Sequence, residues 1–477
     1  MTPTQAPDAR FDLAATTRRT VIRMIVAMAL VEALSGVTQG YLNPILPALG
    51  PVFDISDPTI SGLFLISNVA FAVFTPIVSR LGDSYGYRRV LRGSTALVGA
   101  GVLLMALVPS LWTVIVGVVL LTLVVGFIPL MMGILRVTSP DHTRTGVSVM
   151  IGMLMIMVGA GGLLAGFVGA DDPTKGFWVA VPFAAVAVLC AWLLPDAGTP
   201  SHEPLALLPL LACSLGLVGF VTALSMGPEW GWLDVRTLAS GVIGVALLAV
   251  WVRVDARTGG RRFVDLRLFA RPRIRVVSLA TFFFGFASIS YFGTNGIFLH
   301  ADPAVTGYGF ALSPFLIAVV LAAAALFSLA GSLLTTRIFR IIGERPTLVT
   351  AGLLLAAAFG VMALGHGSIV GYCIGFALFN WALGMYQAAT RALSVEGVPL
   401  AETSTAAGLN ELALSVGIAV GAAVVRMLAA AFVEDTGRIS QAGLTAIWVV
   451  LGVAALGAAA AATGYPRRTG EPAGRVS

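Results

Sequence analysis

Charge is scarce in this 477-residue chain: Asp, Glu, Lys and Arg together make up only 11% of it, and Lys175 is the one lysine. A soluble globular protein carries about a quarter charged residues, so that class is excluded. Cysteine is equally sparse. Cys190, Cys213 and Cys373 stand apart in apolar runs, without disulfide or metal spacing. The four histidines, His142, His202, His300 and His366, fall at or near loops and form no ligand cluster. No phosphate-binding glycine loop, HExxH, paired CxxC or GxSxG is present, which leaves ATP-driven transport, metal-assisted catalysis and enzymatic activity without support. No cofactor is implied. A cleavable leader is also missing: residues 1–19 are polar and carry Arg10, Arg18 and Arg19.

Apolar residues fill 58% of the chain, and its mean hydropathy is +0.94. A helical span needs about 20 consecutive apolar residues, and the apolar segments here are long continuous runs, not the alternating strands of a membrane barrel. The chain therefore reads as an all-α polytopic membrane protein. Cutting at charged and turn-forming residues gives fourteen spans, near 20–48, 57–81, 90–108, 110–135, 146–169, 176–194, 205–226, 235–252, 276–299, 305–335, 347–365, 368–390, 404–433 and 441–464. Pro109-Ser110 and Gly365-His366-Gly367 are the only breaks in two of the longest stretches.

Arginine placement tests that division. With the N-terminus in the cytoplasm, all but four of the 29 basic residues fall on the inner side or in the tails. Lys175, Arg236 and Arg438 lie outside, and Arg426 lies within a span. Arg391 counts among the inner-loop arginines. The net charge of +6 is thus a sign of inner membrane loops and not of nucleic-acid binding. The expected organisation is a cytoplasmic tail (1–19), a six-helix bundle (20–194), a linker with two inserted spans (195–275), a second six-helix bundle (276–464) and a cytoplasmic tail (465–477).

An internal repeat supports two related halves. The second-to-third loop reads Ser79-Arg80-Leu81-Gly82-Asp83-Ser84-Tyr85-Gly86-Tyr87-Arg88-Arg89, and Arg337-Ile338-Phe339-Arg340-Ile341-Ile342-Gly343-Glu344-Arg345 is a degenerate echo of it in the second half. A glycine in each permits a tight turn. Parallel repeats of this kind build one large class of transporters.

The first of these loops resembles the GxLaDrxGrkxxl signature of the major facilitator superfamily. Leu81, Asp83, Gly86, Arg88, Arg89 and Leu91 match, whereas Ser79, Ser84 and Tyr87 depart from it. Gly159-Ala160-Gly161-Gly162-Leu163-Leu164-Ala165-Gly166 in the fifth span is similar to the GxGPxxGG antiporter motif, with Gly162 in place of its proline. Gly227-Pro228-Glu229-Trp230-Gly231-Trp232, followed by the basic stretch from Phe263 to Phe269, resembles the 14-helix drug:proton antiporter branch. The resemblance implies a major facilitator fold with two helices inserted between the halves. Asn43-Pro44-Ile45-Leu46-Pro47 matches the end of the branch's helix-1 pattern, but Thr38 stands where its aspartate would be. Thr122, four residues before Gly126, stands in place of its helix-4 arginine. The resemblance further implies that Asp83 faces the N-terminus of span 13 and latches the cytoplasmic side, with Gly86, Arg88 and Arg89 completing the latch and Arg88 pairing with Asp83 or holding the loop.

Ionisable groups inside spans are costly, so each is a functional candidate. Glu32 lies about nine residues past Arg23 in the first span and Glu411 about nine past Glu402 in the thirteenth, roughly 14 Å from each of those charges at 1.5 Å per residue. Low dielectric penalises the charged form of a carboxyl, so one from each half could load and release a proton as access switches. The alternative for either is a packing hydrogen bond to a neighbouring helix. For Arg426, near the outer headgroups, snorkelling suffices. Gln39, Asn43, Asn68, Asn295, Asn380, Gln387 and Asn410, with Tyr291, Trp381 and Tyr386, are candidates for lining a central cavity, although interhelical packing would equally use them. The fifth-span glycines, Gly159, Gly161, Gly162 and Gly166 among them, suit a tightly packed hinge or simple close packing.

The expected function is proton-coupled export of amphipathic small molecules, drugs or antibiotics, from a bacterial cell whose arginine-rich, alanine-rich composition fits a GC-rich genome. Its partners are the substrate, protons and the lipid bilayer. A carrier of a single metabolite is the alternative, and a non-transporting receptor or scaffold, disfavoured by the short tails, a remote one.

Overall fold

The computed structural model describes residues 18–54, 57–197, 207–257, 266–288, 294–312, 314–396, 398–433 and 439–466. Among these the chain is helical, and the only strand-like pairing is an isolated bridge between Val433 and Ile439. In order the helices are α1 (Arg18–Phe53), α2 (Asp57–Tyr85), α3 (Tyr87–Leu107), α4 (Leu111–Leu121), α5 (Phe127–Thr138), α6 (Thr143–Val168), α7 (Ala180–Leu193), α8 (Leu207–Trp230), α9 (Val235–Arg257), α10 (Pro272–Ser288), α11 (Thr294–His300), α12 (Pro303–Thr306), α13 (Pro314–Ile342), α14 (Glu344–Gly365), α15 (Ile369–Ser394), α16 (Thr403–Ala431) and α17 (Gln441–Thr463).

Among the described residues twelve helical stretches are long and apolar enough to cross a membrane by length and composition, against the fourteen expected. The α2 and α10 helices fall at the second and ninth expected spans but are not among the twelve; α10 has only 17 residues. The expected breaks are where the helices stop. Ser110 caps α4 by accepting from the Thr113 amide, and α14 ends at Gly365, with α15 starting at Ile369. The expected 276–299 and 305–335 spans are subdivided by α11 and α12. Outward-facing Leu107, Trp112, Leu193, Leu233 and Leu364 remain exposed. An envelope of this kind suits hydrocarbon, with backbone polar groups satisfied inside the helices. The molecule is a multi-pass membrane protein.

The repeat seen in the sequence has one structural cause. Gly86 (φ 98°) precedes α3 and Gly343 (φ 86°) precedes α14, each turning a long helix into the next through a left-handed backbone that other residues adopt at a cost.

Helices α1–α7 pack among themselves, as do α10–α17, while α8 and α9 form a close pair. The two groups meet where α6 packs on α13 and α15, and where α2 and α5 pack on α16. The α6 glycines serve one contact within the first group and one between the groups. A Cβ on Gly161 would lie 2.8 Å from the Val37 backbone, and one on Gly40 of α1 only 2.0 Å from the Val158 carbonyl oxygen, so α1 and α6 touch backbone to backbone. On the other side, Gly152 and Gly159 face Leu329 and Ala325 of α13, while nothing lies within 4 Å of a Cβ at Gly166.

Candidate functional site

Between the two groups lies a cavity of about 340 Å³, lined from α1, α2, α4, α5, α6, α8, α10, α15 and α16 and from the 3₁₀ turn Thr122–Gly126 between α4 and α5. Its walls are mostly apolar, with Leu42, Leu46, Phe71, Val118, Leu154 and Ile418 among them. The charges collect at one end. On α1 the lining runs from Glu32 to Leu46, about 21 Å at 1.5 Å per residue, and on α16 from Glu411 to Ala422, about 16 Å. Both carboxylates thus mark the end nearer the face that bears Arg88, Arg136, Arg144 and Arg345 (the basic face). Asn68, exposed on α2, lines the cavity further along.

At that floor Arg391 of α15 meets Glu411 of α16. Its Nη2 donates to Glu411 Oε2 at 2.8 Å, its Nε lies 2.6 Å from Oε1, and its Nη1 donates to Gln387 Oε1 one turn earlier. Arg391 and Glu411 are both only 5% exposed. Removing one member of such a buried pair strands the other charge in low dielectric. Glu32 is buried beside them, and its Oε2 has no hydrogen-bond partner. Arg391 is therefore not a loop arginine, as its place in the charge count implied. It ends a helix inside the protein, held by a carboxylate 20 residues further on.

Of the other cavity candidates, Gln39 and Gln387 line the space, as do Asn68 and the two departures from the family pattern, Thr38 and Thr122. Five do not. Asn295 accepts from the Tyr372 hydroxyl at 2.9 Å, Asn380 donates to the Phe376 carbonyl at 2.9 Å, and Asn410 accepts from Thr281 at 2.7 Å. Tyr386 stacks on Phe284 with ring centroids 4.5 Å apart. Trp381 packs its backbone against Gly331. For Asn295, Asn410, Tyr386 and Trp381 contact with a neighbouring helix is the observed role, whereas Asn380 bonds within its own helix. Tyr291 and the side chain of Asn43 lie outside the described residues.

Beneath the floor the two groups are closed against each other at the basic face. Asp83, at the end of α2, accepts from the Ser404 amide at 3.2 Å and the Thr405 amide at 2.8 Å, and the Thr405 hydroxyl also donates to it. These are free N–H groups of the first turn of α16, where the helix dipole favours an anion. Tyr87 donates to the Leu400 carbonyl at 2.9 Å. Arg136 donates to Thr403 Oγ1 at 2.8 Å and to the Val398 carbonyl at 2.9 Å. Arg144 bridges Glu344 and Glu396, the latter at 2.6 Å, over the Phe339 ring. The expected Asp83 contact is present, but Arg88 does not make it. Arg88 pairs instead with Asp196 at 2.6 Å and the Trp192 carbonyl at 2.8 Å, bracing α3 to the end of α7. Arg89 is exposed. Arg426, expected to snorkel, pairs with Glu229 at the end of α8 at 2.9 Å and donates to the Ser225 carbonyl at 3.1 Å. Among the described residues no group of three His, Cys, Asp or Glu could hold a metal ion.

Sequence reasoning passed over Arg391, Arg136, Arg144, Glu344 and Glu396, because in the chain they look like orienting charges at helix ends. The weak pointer was Arg391 itself, the one basic residue assigned to its loop.

Helices grouped about a cavity with a charged floor and one closed end define a membrane carrier. The chain belongs to the Major Facilitator Superfamily, whose family model matches residues 28–422, a family of transporters and not of enzymes. It is similar to the lincomycin resistance protein LmrB of Listeria monocytogenes, with 26% identity over 52% of this chain and 54% of that protein, so the match spans about half of that relative's length. It is also similar to the multidrug transporter mfsC of Aspergillus fumigatus, with 24% identity over 87% of this chain and 81% of that protein. Among solved structures, the human organic anion transporter MFSD10 superposes with a TM-score of 0.67 at 17% identity, covering 92% of this chain and 99% of that one, a likeness of fold.

Proposed function

We propose that this protein exports amphipathic small molecules, drugs or antibiotics, in exchange for protons, by alternating access across a bacterial inner membrane. Residues 20–194 and 276–464 form the two rocking bundles, 195–275 carries two inserted spans that bring the total to fourteen, and the tails 1–19 and 465–477 are cytoplasmic, as is the basic face. On that orientation the state described is closed towards the cytoplasm, with Asp83 seated on the α16 terminus as the latch.

The observation that carries this reading is the convergence of Glu32, Glu411 and Arg391 on the cavity floor directly above the latch. Protonation of Glu411 would cancel its attraction to Arg391, and protonation of Glu32 would remove the other floor charge, so proton occupancy alters the packing of α1, α15 and α16 at the level where the bundles meet. The apolar walls suit the body of an amphipathic molecule, and the lincomycin resistance and multidrug transport in the names of its relatives favour drugs or antibiotics. The test is efflux of labelled drugs, lincomycin included, in everted vesicles with and without an imposed pH gradient. Glu411→Gln is expected to abolish gradient-dependent efflux while the protein inserts normally. Unchanged efflux in Glu411→Gln, Glu32→Gln and the double variant would refute the coupling assignment.

A further inference from the structure

The inserted pair α8–α9 is not peripheral to the cavity. Cys213, Leu217, Val221, Ser225 and Glu229 recur every four residues on α8 and so form one ridge, which winds by about 40° per step around the helix. That ridge follows the line where α2 meets α16. Cys213 and Leu217 belong to one apolar cluster with Leu409 of α16, against which Val73 and Ile77 of α2 pack. Val221 and Ser225 line the cavity itself. Glu229 then closes the series by pairing with Arg426 of α16. Another side of α8 is held to α9 at very close range: a Cβ on Gly219 would lie 2.7 Å from the Ser240 carbonyl, and one on Gly244 2.5 Å from the Phe220 amide. Val242, Ile243 and Val245 of α9 remain exposed beyond it.

We infer that α8 is a wall of the transport cavity, in which Val221 and Ser225 help to select the substrate and the Glu229–Arg426 pair fastens that wall to α16. The inference rests on the reading of this cavity as the transport site. The contribution is an apolar surface with a single hydroxyl, set along the cavity from the charged floor. It suits the apolar body of an amphipathic molecule whose polar head lies at Glu32, Arg391 and Glu411.

Two measurements test this. In a chain with Cys190, Cys213 and Cys373 replaced by alanine and reconstituted in liposomes, single cysteines Ser225→Cys and Leu215→Cys are alkylated with a water-soluble maleimide. Leu215 is on the same helix but faces outward, 54% exposed. A thiol reacts as its thiolate, which forms in water and not in hydrocarbon, so Ser225→Cys is expected to react at least tenfold faster. Equal rates, or a faster Leu215→Cys, would overturn the wall assignment whether or not any drug is transported. In vesicles, Val221→Trp is expected to change the ratio of ethidium to lincomycin efflux by roughly tenfold, the scale on which pocket volume discriminates. An unchanged ratio at equal expression would overturn the selectivity role. Failure of the unmodified chain to move either compound would instead count against the export reading, with the alkylation rates still deciding where α8 stands.

Discussion

The floor ion pair can be separated into its structural and functional parts by a double-mutant cycle. Arg391→Met removes the guanidinium and leaves Glu411 buried without its counter-ion; Glu411→Gln does the reverse. Breaking a buried pair from one side costs about 3–5 kcal/mol, whereas replacing both partners with uncharged groups is often close to neutral. Arg391 has a further bond to Gln387, whose carbonyl oxygen loses its donor in any Arg391 variant, at about 1–3 kcal/mol for a buried acceptor. Independent effects would sum to roughly 7–13 kcal/mol in the double variant, whereas coupling through the pair predicts about 1–3 kcal/mol, the Gln387 cost alone. The chain supplies its own reporter: Cys213 is fully buried and reacts with a thiol-sensitive dye only as the fold opens. At about 2 °C per kcal/mol for a chain larger than a small domain, Glu411→Gln melts about 6–10 °C and Arg391→Met about 8–16 °C below the unmodified protein in detergent, and the double variant within about 2–6 °C of it. A double variant that melts at the sum of the single shifts would refute the pairing. A restored melting temperature without restored gradient-dependent efflux would show that Glu411 serves transport beyond holding α15 to α16.

Asp83→Asn keeps the shape but loses the charge at the α16 terminus and one acceptor, together worth about 2 kcal/mol, or close to thirtyfold in the latch equilibrium. Amide exchange at Ser404 and Thr405 is expected to quicken by about that factor, and unchanged protection would remove Asp83 from the latch. Arg144→Gln frees Glu344 and Glu396 at the same face and is expected to quicken exchange in the first turn of α14 as well; protection retained there would show that the network carries no load. Gly40→Ala forces α1 from α6 at about 1–3 kcal/mol and is expected to lower the dye-detected melting temperature. Gly166→Ala meets open space, gains up to about 1 kcal/mol of helix propensity, and is expected to raise it; the opposite order would contradict the packing of α6. Arg88→Ala breaks a pair whose Asp196 side chain is 82% exposed, so a melting change equivalent to more than about 1 kcal/mol would be inconsistent with a surface ion pair.

Much of this architecture was legible because hydrocarbon imposes a simple code. Apolar length marks a helix, a proline–serine or glycine–histidine–glycine break marks its end, and arginine marks the face where helices turn. Gly86 and Gly343 were readable for the same reason, since a backbone with positive φ narrows the choice of residue sharply. Asp83 and the Glu32–Glu411 pair were legible by cost: a carboxyl amid apolar helix needs a reason to be there. Asn295 and Asn410 satisfied that rule by bonding a neighbouring helix, and Asn380 by bonding within its own. An asparagine that bonds a neighbouring helix and one that faces a wet cavity have the same surroundings in the chain, and only the azimuth of each helix separates them. The α8 wall was hidden by the same ambiguity, because Val221 resembles any lipid-facing valine until its neighbours across α2 and α16 are known.

Arg391 shows where the code itself misleads. Counting arginines treats every guanidinium near a helix end as hydrated, and for Arg89 that holds. For Arg391 the last turn of α15 is enclosed by α16, and a guanidinium there needs an anion within about 3 Å. Glu411 supplies it from two turns inside the next long helix. The two assignments were therefore never independent: a carboxylate deep in one helix and an arginine at the end of the preceding one answer each other's burial. The pair sits where Asp83 holds the start of that same α16 only two turns away. Whatever breaks the floor pair therefore changes the footing of the helix on which the latch closes, and that mechanical link is what proton exchange at the floor would need in order to open it.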